Sequence, residues 1–303
     1  MRTKWRILPL LFITLLLLFV SACNSNTGGS TSSGTSSILI VAAENFYGNI
    51  FQQLGGKYVS VTSILSNPNT DPHEFESNVQ DAIAVSSAKI VIENGLGYDS
   101  WMDKLLSASP NSSRIVLVAG QIANHPLPDN PHVWYGIDNV QTIAKAMANA
   151  LIKVDSAHAS FYNQNLASFE QSLTSIQQTL AHMKAKYTGT PVGLTEDIFL
   201  YQAMPLGLNV LTPLAFQRAI AEGNDPPADT VVTANAQITQ HKIKVLIYNE
   251  QTVTPITTNL QNEAKQAHIP IVGVTETMPP DKTYQTWMLA QLATLAAALS
   301  STA

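Results

Sequence analysis

Between His158 and Tyr187 the chain runs for thirty residues with neither glycine nor proline. Along it Leu166, Phe169, Leu173, Ile176, Leu180, Met183 and Tyr187 fall alternately three and four apart, which lays one apolar stripe along an α-helix. Asp155 or Ser156 can cap its start and Gly189-Thr190-Pro191 ends it, so the pattern predicts a helix over 155–188. At ~1.5 Å per residue such a helix would run about 45 Å, longer than most elements inside one domain. It either zips to a second copy as a coiled coil or braces two parts of its own chain. A single helix of this modest length favours the brace, and with it a monomer.

The flanking texture agrees. Before the helix, "ILIVAAENF", "VSVTSIL", "KIVIENG" and "RIVLVAG" read as buried strands, with "NIFQQL", "NVQDAIAVSSA" and "NVQTIAKAMANALIKV" as helices. After it come "PVGLTE" (strand), "IFLYQAMPLGL" (helix), "VLIYNE" (strand), "NLQNEAKQAH" (helix), "IPIVGVTE" (strand) and a closing helix from Tyr284 to Leu299. Strands alternating with helices give α/β layers around a parallel sheet. The predicted fold class is therefore α/β: two lobes, each a parallel-type sheet flanked by helices, joined by one long rigid helix. The lobes are predicted over 38–154 and 189–303, and 303 residues are ample for both cores.

The first residues are not part of that fold. Arg2, Lys4 and Arg6 precede the apolar run Ile7 to Val20, and small residues follow, which is a signal peptide over 1–22. The run is shorter than the ~20 residues a spanning helix needs. The only cysteine, Cys23, stands directly after Val20-Ser21-Ala22 and has no partner for a disulfide. The segment resembles a bacterial lipobox, which implies cleavage before Cys23 and its lipidation. A chance small-residue site in an ordinary secreted protein is the plainer alternative. Residues 23–37 have a flexible-linker composition and read as a tether. The protein is expected outside the cytoplasmic membrane, held to it by the lipid on Cys23. A net charge of −5 and the lack of any basic run give no sign of nucleic-acid binding.

With the thiol lipidated, histidine and carboxylate are the candidate metal ligands. His73 lies in "SNPNTDPHEFE" and His132, fifty-nine residues on, in "DNPHVWYG". Each follows a proline, which fixes φ beside it and stiffens the turn that presents the ring. Singly, either reads as an ordinary surface histidine; the repeated Pro-His context makes both candidate ligands. Glu196 ends "PVGLTE" and Glu276 ends "IPIVGVTE", each at a strand's carboxyl end. Acids there also serve as helix N-caps favoured by the helix dipole. Spacing alone does not bring these four together.

The stretches "LGGKYVSVTSILSNPNTDPHEFES", "NGLGYDSWMDKL", "NPHVWY", "GLTEDIFLYQAMPLGL" and "YQTWMLAQLATLAAAL" resemble the metal-binding solute-binding proteins of bacterial ABC importers, cluster A-I or solute-binding family 9. The resemblance covers Ile38 to Leu299 in order. It implies two α/β lobes bridged by a long helix, with one divalent ion between them. Carried over by motif, the ligands are His73, His132, Glu196 and Glu276. The fourth position is usually Asp in the family, which leaves Asp281 as the fallback. Where zinc receptors tend to have His at the third position, manganese receptors have Glu, as here. Two imidazoles and two carboxylates suit Mn²⁺ or Fe²⁺ as well as Zn²⁺, and the balance leans to manganese. The implied partners are a membrane permease and a separate cytoplasmic ATPase, since this chain has no phosphate-binding GxxxxGK[ST] loop.

A metalloenzyme and a surface adhesin are the rival functions. Four protein ligands would close a tetrahedral ion to water, and no HExxH or nucleophile motif appears, so no catalytic residue is assigned. Glu44 occupies in its lobe the place of Glu196, and Glu250 could hydrogen-bond inside the cleft. His158, His182, His241 and His268 are expected to be solvated, and Trp101 and Trp287 to be packing residues.

Overall fold

The computed structural model of the chain describes residues 37–70, 72–125 and 129–301, apart from the side chain of His73. Cys23, the signal segment and nearly all of the tether lie outside them. The first half runs β1 (Ile38–Glu44), α1 (Asn45–Gly55), β2 (Val59–Leu65), α2 (Val79–Ser87), β3 (Ile90–Glu93) and α3 (Ser100–Ala108). It continues with β4 (Ile115–Val118), α4 (Ala119–Ile122) and α5 (Ile137–Val154). The long helix α6 (Ala159–Tyr187) follows. The second half holds β5 (Pro191–Leu194), α7 (Leu200–Ala203), β6 (Asn209–Val210), α8 (Leu214–Ala221) and α9 (Ala228–Thr239). It closes with β7 (Val245–Asn249), α10 (Pro255–Gln266), β8 (Ile271–Val274) and α11 (Tyr284–Ser301).

Each half builds a four-stranded sheet, in the orders β2-β1-β3-β4 and β6-β5-β7-β8. Every pairing is parallel, with Ile40 opposite both Val61 and Ile90, and Val192 opposite both Val210 and Val245. Parallel strands need helical crossovers, which cover both faces and explain the unbroken apolar runs in β1, β3 and β7. The two orders are the same once β5 is set on β1. Glu44 and Glu196 therefore do occupy equivalent places, at or just past the carboxyl ends of equivalent strands.

One large core runs through both sheets and α1, α5, α6 and α11. Phe46 stacks on Trp134 with ring centroids 4.6 Å apart, and Trp287 and Tyr135 join the cluster. On α6, Phe169, Leu173, Ile176, Met183 and Tyr187 are buried, while Leu166 and Leu180 pack partly buried on the same core. The predicted stripe is thus consumed inside the chain, against α5, α11 and α1. The helix is a brace. Smaller apolar clusters back each sheet, under α2 and α3 with Trp101 and under α8, α9 and α10 with Phe216.

Three expectations need correction. Neither Asp155 nor Ser156 caps α6. The Asp155 carboxylate instead accepts from Tyr162 Oη (2.7 Å) and pairs with His158 Nδ1 (2.6 Å). His158, expected in solvent, also stacks on Tyr58 at 3.8 Å between centroids. The helix expected over "IFLYQAMPLGL" is only a 3-10 turn and α7, because Pro205 cannot continue the hydrogen-bond ladder and Gly207 turns the chain at φ 67°.

Candidate metal site

Three of the four predicted ligands follow the carboxyl ends of strands in ways the topology makes visible. His132 leads into a 3-10 turn (Val133–Tyr135) in the connection from β4 to α5. Glu196 starts another turn (Asp197–Phe199) after β5. Glu276 comes two residues after β8. The backbone of His73 lies in the turn Pro72–Glu74, which follows β2. Open α/β sheets bind ligands at these strand ends.

His132 is fully buried. Its Nδ1 lies 2.8 Å from Asn130 Oδ1, which also accepts the His132 backbone N–H at 2.9 Å. The other end of that amide donates from Nδ2 to the Asp197 carbonyl at 2.6 Å. Both fixed backbone partners orient the Asn130 amide the same way, so its oxygen faces the ring and the imidazole proton sits on Nδ1. Asp197 Oδ1, 3.4 Å from Nδ1, reinforces that tautomer. Nε2 is left as a bare lone pair with no hydrogen-bond partner. It points towards Glu276 Oε2 at 3.9 Å. That is too long for a hydrogen bond and within the span of two ligands that each stand ~2.0–2.2 Å from a shared ion.

Glu276 is also fully buried. Tyr98 Oη donates to its Oε2 at 2.7 Å, and Asn249 Nδ2 donates to Oε1. Tyr98 lies in the turn between β3 and α3 of the first half and Asn249 ends β7 in the second, so the carboxylate is gripped from both halves. Both donors are neutral. They orient the group without themselves supplying a positive charge. Glu196 is buried at 1% exposure, whereas Asp281 is exposed and Glu250 lies outside, with its carboxylate over Gly273. Among the described residues, no three His, Cys, Asp or Glu side chains converge closely enough to enclose an ion. The grouping present is His132 facing Glu276, with Asn130 and Asp197 behind the ring.

Buried acids surround the first sheet's end of the site. Burial, then the charge of Asp99, holds the Glu44 carboxyl well above the usual carboxylate range. Burial pushes Asp99 up to about 6, although the N–H groups of Asn94 and Gly95 oppose the rise. Burial and the Asp99 charge both favour the protonated form of Glu44. Sequence reasoning missed Asn130, Asp197, Tyr98 and Asn249. Asn130 and Tyr98 do stand inside "DNPHVWYG" and "NGLGYDSWMDKL", but nothing in the spacing marks a neutral orienting group.

Residues 40–298 match the family described as zinc-uptake complex component A, periplasmic (ZnuA). The chain is a ZnuA-family protein. Among relatives of this ZnuA-family chain, a putative metal-binding protein of Treponema pallidum is 28% identical over 50% of the chain and 53% of its own length. The manganese ABC transporter substrate-binding lipoprotein PsaA of Streptococcus pneumoniae is 27% identical over 55% of the chain and 57% of its own. The chain thus spans little more than half the length of these two relatives. The metal ABC transporter substrate-binding lipoprotein FimA of Streptococcus parasanguinis is 25% identical over 86% of the chain and 85% of its own.

Among solved structures, the periplasmic zinc-binding protein TroA of Treponema pallidum superposes with a TM-score of 0.73 at 18% identity. It covers 87% of this chain and 99% of TroA. The Pseudomonas aeruginosa protein FpvC in complex with Mn²⁺ gives 0.73 at 18% identity, over 88% of this chain and 100% of FpvC. At that identity the likeness establishes the ZnuA-family fold: two helix-flanked parallel sheets with one long helix.

Proposed function

We propose that the protein captures one divalent transition-metal ion between the ends of its two sheets and delivers it to an ABC permease powered by a separate ATPase. The observation that carries this reading is the His132–Glu276 pair. A buried imidazole with its proton locked on Nδ1 presents a bare Nε2, 3.9 Å from the buried carboxylate of Glu276. His73 and Glu196 complete the set of two imidazoles and two carboxylates, and the exposure of Asp281 favours Glu276 as the fourth ligand. The ion is cargo. Four protein ligands leave a tetrahedral ion no open position for water, so the chain acts as a carrier and not as a metalloenzyme.

Two Glu ligands lean towards Mn²⁺ as the physiological cargo. Intrinsic affinity still favours Zn²⁺, so tightness of binding does not identify it. The lipoprotein relatives and the Cys23 motif support a chain anchored outside the membrane by its lipidated N-terminus, and the burial of the α6 stripe within its own chain supports a monomer. Cys23→Ser should release the protein from the membrane fraction and leave metal affinity unchanged.

The test is calorimetric titration with Mn²⁺ and with Zn²⁺. Loss of an outer partner of a ligand already costs ~10–100-fold in metal affinity, so His132→Ala and Glu276→Gln should each cost more than ~100-fold. Asp281→Asn should titrate like the wild type. A crippled Asp281→Asn beside a normal Glu276→Gln would transfer the fourth position to Asp281.

A further inference from the structure

Gln251 stands just past β7, half-buried, and each end of its amide is used twice. Its Oε1 accepts two consecutive backbone N–H groups, from Glu276 (2.7 Å) and Thr277 (3.0 Å). Its Nε2 donates to Thr277 Oγ1 (2.9 Å) and to the Thr70 carbonyl (2.9 Å). Thr70 lies in the first half, in the loop that leads from β2 to the turn carrying His73. The backbone N–H of Gln251 is held in turn by Asn249 Oδ1 at 3.0 Å, and Asn249 also grips the Glu276 carboxylate.

We propose that Gln251 is a positioning residue for ion capture, fixing the peptide that bears Glu276 and tying it to the loop that bears His73. The inference rests on reading His73 and Glu276 as ligands. The chemistry singles out a carboxamide. One end must accept from two N–H groups and the other must donate to a carbonyl and a hydroxyl. A carboxylate would satisfy the first end and set an oxygen against the Thr70 carbonyl. The bond from Gln251 to the Thr70 carbonyl opposes any parting of these two loops as the ion leaves.

The test is release of Mn²⁺ and Zn²⁺ from the full chain into excess chelator, followed by stopped flow. Gln251→Ala, Gln251→Glu and Glu276→Gln are compared with the wild type, alongside the melting temperature of each metal-free protein. Gln251→Ala and Gln251→Glu should both release the ion ~10–100-fold faster, the range for outer partners of metal ligands. Their metal-free melting temperatures should stay close to wild type. A metal-free protein destabilised as much as the metal-loaded one would make the role structural and overturn the proposal. Fast release by Gln251→Ala with normal release by Gln251→Glu would overturn the link to Thr70. Wild-type release by both Gln251 variants beside fast release by Glu276→Gln would sink the positioning role alone, and wild-type release by all three would sink the site reading beneath it.

Discussion

Asn130 does for the His132 imidazole what Asn249 does for the Glu276 carboxylate: a neutral amide aims a proposed ligand. Removing the first should therefore be felt at the ion. Asn130→Ala frees the ring to rotate or change tautomer and should weaken Mn²⁺ and Zn²⁺ binding ~10–100-fold in a calorimetric titration. Unchanged affinity would mean that Asp197 alone sets the tautomer. A second residue-scale prediction concerns Glu93, which with Asp99 and Asp103 lines a cavity of about 420 Å³. Burial, then the charge of Asp99, raises its carboxyl from 4.5 to about 8. The folded chain thus keeps a proton that the unfolded chain gives up, so this group's contribution to stability is lost as pH rises from about 4.5 through 8. Glu93→Gln removes the titration. It should melt like the wild type near pH 4 and be clearly more stable at pH 9, as read from denaturation curves across pH. The Pro-His turn singled out His132 as a candidate, and the family resemblance added Glu276; the structure sets the two 3.9 Å apart. Asn130, Tyr98, Asn249 and Gln251 were not legible in the sequence, because an uncharged side chain becomes an orienting group only when distant loops meet.

At the scale of elements, the alternation of three and four on α6 and the apolar runs of the strands were enough to assign both. What escaped was the stretch between β5 and β7. There β6 has only two residues, too few for any periodicity, and α8 and α9 are short helices between loops. Proline and glycine cut α7 short where composition alone suggested a longer helix. The brace itself can be tested at its centre. Leu173 is fully buried in the shared core, so Leu173→Ala should cost about 2–5 kcal/mol in chemical denaturation. A loss below about 1 kcal/mol would show that α6 is not held through this stripe.

Across the whole molecule, the matching strand orders bring equivalent strand ends towards each other, and the segment after β8 is tied back to the first half. Asn45 donates to the Met278 carbonyl (2.6 Å) and accepts its N–H (3.0 Å), while Asn49 accepts from Tyr284 (3.0 Å). Tyr135 Oη reaches the Thr275 carbonyl at 2.7 Å. Glu276 is thereby fastened to the half that carries His132, while Glu196, the other proposed acid, follows β5 of the second sheet. Binding to the folded chain alone stabilises it by mass action, about 2.7 kcal/mol when free metal is ~100 times the dissociation constant. That gain should disappear in Glu276→Gln. The most direct measurement is anomalous diffraction from crystals of the chain loaded with Mn²⁺ or Zn²⁺. One strong peak is expected ~2.0–2.3 Å from His132 Nε2, with a Glu276 oxygen in the same shell. A peak bound elsewhere, or one that leaves His132 Nε2 and Glu276 uncoordinated, would contradict the proposed site.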